Sequence, residues 1–315
     1  MRNGMSLKRF IVWILLSLSM SAALPAAAQT DIARISVIAA GERSAPLGDY
    51  ARGVHHALQQ AWPQLTVELK DKDSFVANAQ QPTLVIALGD ALLPWLAEHQ
   101  RDYAQAIAFY VGAGAFAPHA KNNAKLTALY RDQPLTRQLQ LAKWLLPNLR
   151  HAAVLRSEMP LPLSAAELER NTGVTISEMV ATADDEWPKL LAQAMRSNDV
   201  LLGIDDATIY NGDTIRSILL TTYRHNRGVI GPNRAFVTAG SLASCYTASD
   251  QYLQQLMAMV AAALQERKLP RPQYPKTFRV AVNPQVAVSL GLTIPSEEAL
   301  TAWSQDHTGD CGNGC

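Results

Sequence analysis

The chain predicts an α/β protein made of two doubly wound parallel-sheet lobes joined by a hinge. Three observations carry this. Short, continuously apolar runs alternate with amphipathic stretches, as in a parallel sheet covered on both faces. The alternation proceeds to Tyr130 and then starts again. Polar or proline-rich connectors stand at Arg131-Asp132-Gln133-Pro134 and at Leu269–Pro275, the latter too rich in proline for a helix or a central strand.

In the first run Ile35–Ala40 reads as a strand, Tyr50–Trp62 as a helix with one apolar face, and Leu65–Lys70 as an alternating, edge-type strand. Leu84–Leu88 is continuously apolar, and Gly89-Asp90 then opens a helix to about His99. Ala106–Val111 is another buried strand, closed by Gly112 and Gly114, and Leu126–Tyr130 is the next. Leu135–Leu146 is amphipathic and ends at Pro147.

The second run has strands at Ala152–Leu155 and Val174–Met179 with a helix at Ser164–Asn171 between them. Asp184 is expected to cap a helix that turns Trp187, Leu190, Leu191 and Ala194 inward. Val200–Ile204 is a buried strand that stops at Asp205-Asp206; a polar loop, a helix to Tyr223, a strand at Gly228–Gly231 and a glycine-bounded loop to Gly240 follow. Cys245 is expected to follow a strand as a small buried hydrophobe. Tyr252–Gln265 is a long helix, Phe278–Val282 a strand and Pro284–Leu290 a short helix.

Arg2, Lys8 and Arg9, the apolar run Phe10–Ala23 and Ala26-Ala27-Ala28 together read as a signal peptide of residues 1–28, cleaved before Gln29. No cysteine follows the cleavage point, so no lipid anchor is expected, and no later stretch is apolar for long enough to span a bilayer. The expected product is exported to the periplasm, without stable membrane insertion and as a monomer. Losing the three basic residues takes the formal charge from +1 to −2, and no basic patch suggests nucleic acid. Cys311 and Cys315, near His307 and Asp310, read either as a small metal clip or redox pair, or as a flexible tail whose cysteines pair locally or stay free.

The order of several segments resembles the uncharacterised substrate-binding proteins grouped with ABC transporters, which have the type I periplasmic-binding fold. The segments are Gln138–Pro147 before Ala152–Leu155, then Tyr210-Asn211, Leu219–Arg224, Val229-Ile230-Gly231 and Phe236–Gly240, and finally Tyr274–Asn283 before Ser289–Leu292. The resemblance covers nearly all of the mature chain. It implies a discontinuous arrangement, with residues 29–134 plus about 248–275 in lobe 1 and 135–247 plus about 276–303 in lobe 2; the flexible cysteine-containing tail at 304–315 is a departure from the family. The resemblance also implies a small-molecule ligand in the cleft and, as a possible partner, an inner-membrane ABC permease. Pro232-Asn233-Arg234 departs from the small residues common after the glycine, so no ligand identity is carried over.

Ligands of open α/β sheets bind beyond the carboxyl ends of the strands. That rule selects Ser44, Gly89, Asp90, Asp205, Tyr210 and Asn211 as ligand-binding candidates. Ser44 could offer its hydroxyl to a ligand or serve turn chemistry with Pro46. Gly89 allows close backbone approach. Of Asp205-Asp206, one is expected to cap the following turn and the other to face the cleft. Tyr210 is the expected aromatic contact; Asn211 either binds ligand or caps the helix that runs to Tyr223.

No GxGxxG, Walker or GxSxG motif is present, and no set of oxygen or nitrogen ligands has metal-site spacing. No cofactor, metal or catalytic residue is therefore assigned. The reading is a periplasmic solute-binding protein for an ABC-type importer. A ligand-sensing or accessory subunit of the same fold is the first alternative, and an exported enzyme the second.

Overall fold

The structure is a computed structural model, and it describes residues 32–40, 46–78, 80–121, 123–183 and 186–309. The expected signal peptide, Ser44, the Asp184 cap and both tail cysteines lie outside the described residues.

The first sheet is built from β1 (Arg34–Ala39), β2 (Thr66–Lys70), β3 (Thr83–Leu88), β4 (Gln105–Val111) and β5 (Leu126–Tyr130), with α1 (Pro46–Ala61), α2 (Leu93–Glu98) and α3 (Ala113–Ala120) between them. All its pairings are parallel, in the order β2-β1-β3-β4-β5. The alternating strand β2 is at an edge; β3, every residue of it buried, is central.

The pleat of β3 shows why a continuous apolar run is required there. Leu84, Ile86 and Leu88 enter one core layer, while Val85 and Ala87 enter the opposite one. Each Leu, Ile or Val buried in this way contributes roughly 1.5–3 kcal/mol of transfer free energy. A short 3-10 turn at Asp90–Leu92 stands where an unbroken helix was expected after β3, and Pro94 starts α2 just beyond it.

The chain crosses through residues 131–134 to α4 (Leu135–Leu145) and the second sheet. This sheet comprises β6 (His151–Arg156), β7 (Thr175–Val180), β8 (Val200–Leu202), β9 (Gly228–Ile230) and β10 (Ala243–Tyr246). The helices among them are α5 (Ala165–Thr172), α6 (Trp187–Ser197), α7 (Ile215–Arg224) and α8 (Arg234–Ala239). α5 shows how local chemistry sets an element: Ser164 and Glu167 form a reciprocal capping box, and Gly173 ends the helix at a φ of 69°.

The strand order β7-β6-β8-β9-β10 repeats that of the first sheet. The switch in strand order falls between β1 and β3 in one lobe and between β6 and β8 in the other. Ligand crevices open at such points.

Helix α9 (Ser249–Gln265) follows β10, yet Tyr252, Leu256, Met259 and Val260 pack in one core with Ile35, Val37, Leu84 and Ile86 of the first sheet. The chain then returns to β11 (Arg279–Val282), α10 (Pro284–Ser289) and α11 (Glu297–Asp306). β11 pairs with β10 antiparallel, an exception to the all-parallel expectation that follows from its arrival through a crossing rather than a helical crossover. α11 reaches three residues into the stretch expected as tail, started by the Ser296 side chain accepting from Ala299 N–H.

One residue from each of the three crossings joins a chain of hydrogen bonds. Gln133 Nε2 donates to Thr247 Oγ1 at 2.9 Å, and that hydroxyl donates to the Thr277 carbonyl at 3.0 Å. Beneath them Arg137, fully buried, donates from Nη1 to Gln133 Oε1 and the Pro275 carbonyl, and its guanidinium lies 4.1 Å from the centroid of the Phe278 ring.

Two local expectations need correction. The glycine-bounded stretch after β9 contains α8, because Asn233 accepts from the Ala235 and Phe236 amides and Phe236 and Val237 face the core. Cys245 is buried as expected but lies inside β10 rather than after a strand, and burial pushes its thiol up to about 12. Among the described residues no helix is long and apolar enough to cross a membrane.

Candidate functional site

The site is assembled at the carboxyl ends of the third strand in each sheet order. Beyond β3, Gly89 adopts a φ of 85°, a conformation open to glycine, and its N–H donates to the Phe109 carbonyl at 3.0 Å. This turn delivers Asp90. One Asp90 oxygen accepts from the Gly112 N–H at 2.9 Å, and the other meets Arg131 Nη2 at 2.7 Å.

Beyond β8, at the equivalent place in the second sheet, Asp205 accepts from Arg131 Nε at 3.1 Å and lies 2.7 Å from Nη2. Arg131 follows β5. A single guanidinium therefore bridges a carboxylate from each lobe, all three side chains being about a quarter to a third exposed. Burial opposes the Arg131 charge, but Asp205 and then Asp90 more than offset it and raise its pKa.

Asp132 is the next residue and lines the same cleft. Its Oδ1 accepts from the Ala113 N–H at 3.0 Å. Desolvation, reinforced by the charge of Asp205, pushes its carboxyl up to about 7 against the pull of Ala113 N–H and Arg131. Among the described residues Asp132 has no ion-pair partner, so three carboxyl groups face one cation.

The lobes meet closely around this bridge. A Cβ on Gly112 would stand 2.8 Å from Asp205 Oδ2, and one on Gly114 would stand 2.9 Å from Met159. The cavity left between them is about 30 Å³, lined by Asp132, Gln138, Met159, Asp205, Pro232 and Tyr274. That is room for a water or two. Nearby, Tyr110 bulges out of β4 at a φ of 60°, strained for a residue with a side chain, and its ring meets those of Tyr50 and Tyr252 edge-on.

Gly89, Asp90 and Asp205 thus come together, although more than a hundred residues separate them. Asp206 is turned away: its carboxylate accepts from Ser157 N–H at 2.6 Å and Thr208 N–H at 3.1 Å, tying together the ends of β6 and β8.

Tyr210 does not line the cleft as expected. Its ring is buried against Phe236, and its hydroxyl donates to the Leu155 and Leu202 carbonyls. Those carbonyls lie where the β6–β8 ladder ends and strand partners run out, and the phenol supplies the missing donor. Burial also raises its pKa.

Asn211 takes the capping alternative. Its amide donates to the Ala207 and Thr208 carbonyls, and its oxygen accepts from Asp213 and Thr214 N–H before α7 begins. Ser44 is outside the described residues.

Arg131 and Asp132 were read as linker. The rule that selected Asp90 and Asp205, the first polar residues after a buried strand, applies equally to them after Tyr130. Gly112 and Gly114 carried a further signal, small residues directly after a strand, where a facing surface approaches.

No family model matches the chain, and no curated protein matches it. Solved structures do. An ABC domain from Streptococcus pneumonia in complex with L-Trp is 19% identical with a TM-score of 0.58, over 86% of this chain and 98% of that one. The ligand-free, open structure of a substrate binding protein with adhesive properties from Clostridium difficile has a TM-score of 0.63 at 13% identity, over 85% and 98%. A periplasmic ribose ABC transporter protein from Conexibacter woesei has a TM-score of 0.52 at 15% identity, over 83% and 96%. The fold is the type I periplasmic-binding fold. These identities carry the architecture alone. Within the type I fold, the Asp90–Arg131–Asp205 bridge spans the seam between the lobes, beyond the carboxyl ends of the strands.

Proposed function

We propose that this chain is a periplasmic solute-binding protein, which takes a small molecule between its lobes for an ABC-type importer. One observation carries the reading: loops following β3, β4 and β5 of one lobe and β8 of the other converge on a single seam. Such convergence of a few polar groups in a crevice between two domains suits capture by hinge closure. Asp90 and Asp205 supply the charged contacts and Gly89 the close backbone approach. Export with loss of residues 1–28 belongs to the same reading.

Native mass spectrometry of protein released from the periplasm, without refolding, tests both parts. The expected species begins at Gln29 and carries a small molecule, or gains one from a panel of amino acids, sugars, nucleosides and amines. Replacing Asp205 with Ala weakens that binding by about 2–5 kcal/mol, with the fold retained by circular dichroism. A folded protein that binds nothing, or whose affinity is the same after Asp205→Ala, removes this seam from the function.

A further inference from the structure

The seam already holds a guanidinium, and it belongs to the chain. Arg131 contacts Asp90 at 2.7 Å and Asp205 at 2.7 and 3.1 Å, one carboxylate from each lobe. Asp205 Oδ2 is fully buried and, although within ion-pair distance of Arg131, accepts no well-directed hydrogen bond. Asp132 adds a third carboxyl without an ion-pair partner among the described residues. An anion entering here would meet a cation already neutralised and an unpaired acid beside it. A neutral sugar would leave the charge imbalance as it is. An organic cation corrects it.

We propose that Arg131 is a tethered stand-in for ligand: its guanidinium draws the lobes together, and the class of molecule that takes its seat is a small organic amine or guanidinium. This rests on the reading of the cleft as a solute site and adds its substrate class. The neighbouring half-buried Tyr50 and Tyr110 rings offer aromatic surface suited to the carbon skeleton of such a cation. The seat is already shaped to a guanidinium, since Arg131 meets Asp205 through both Nε and Nη2 and Asp90 through Nη2, which favours an organic cation of that kind.

The test uses the full exported protein, dialysed, and agmatine as the probe, with L-Trp and ribose as comparators. Calorimetric titration of the unaltered protein should show agmatine binding at least tenfold tighter than either comparator. Arg131→Met should enlarge the radius of gyration seen by small-angle scattering, tighten agmatine binding at least tenfold by vacating the seat, and recover the compact radius on adding agmatine. Arg131→Met with Asp205→Asn should lose that recovery.

Arg131→Met that is as compact as the unaltered protein and no tighter for agmatine overturns the proposal. So does preference for ribose or L-Trp in the unaltered protein, which needs no variant to fold and leaves the solute-binding reading standing. Absence of binding to any of the three, together with none to the wider panel, overturns both.

Discussion

Replacing Asp132 with Asn tests the electrostatics of the seam through stability alone, with no ligand required. Asp132 has its carboxyl pushed from 3.8 to about 7 by desolvation and by Asp205. The folded protein therefore binds a proton that the unfolded chain has released over this range. Stability from that proton is fully present below about pH 4 and is lost as pH rises through about 7. At 1.36 kcal/mol per pKa unit, the loss amounts to about 4 kcal/mol across the window. Asn keeps an oxygen to accept the Ala113 N–H and carries no titrating proton. The stability of Asp132→Asn relative to the unaltered protein should thus rise by about 4 kcal/mol between about pH 4 and pH 8. The tyrosines that face Asp132, namely Tyr274, Tyr252 and Tyr130, have raised pKa values and stay neutral throughout. Urea unfolding of both proteins at half-unit pH steps measures the difference directly. Parallel pH curves would refute the reasoning, because they would mean Asp132 ionises in the folded protein as it does in water.

Gly112→Ala should destabilise by roughly 1–3 kcal/mol and enlarge the radius of gyration, since the new methyl meets Asp205 and Arg131. Gly53→Ala, within α1 and with nothing inside 4 Å, should stabilise by about 0.5–1 kcal/mol; thermal melts and scattering compare the two. Tyr210→Phe should cost about 1–3 kcal/mol by orphaning the Leu155 and Leu202 carbonyls, with ligand affinity unchanged; altered affinity in calorimetry would return Tyr210 to the cleft. Cys245, protonated and buried, should resist alkylation in the native protein and react in urea, as peptide mapping by mass spectrometry reads.

The fold was legible in the sequence because burial on two faces demands uninterrupted apolar residues. Leu84–Leu88 and Ala106–Val111 announce themselves, and their termini follow within a residue. β10 was less visible: Ala243-Ser244-Cys245-Tyr246 is short and half polar, yet its place between β9 and β11 buries all but Tyr246. α8 was hidden because Gly231 and Gly240 bracket only a turn and a half of helix, and glycine at both ends also describes a loop.

The site was half legible. Position after a strand selected Asp90 and Asp205, but it says nothing about side-chain direction, and Tyr210 satisfied the same rule while turning inward to two strand-end carbonyls. Arg131 also stood first after a strand but was taken with its neighbours as a connector; its pairing with two carboxylates far away in sequence is what no local pattern contains.

The chain of hydrogen bonds from Gln133 through Thr247 to Thr277 has a mechanical consequence. Three separate strips of backbone would let the lobes twist, shear or swing independently. Strips stitched edge to edge act as one leaf of a hinge: they bend together about a shared line and resist sliding past each other. Any separation of the lobes at Asp205 would therefore favour a flexure shared by all three crossings over independent movement of each. Twisting one crossing against the others would break these hydrogen bonds, at a cost of about 0.5–1.5 kcal/mol each, whereas bending all three together keeps them.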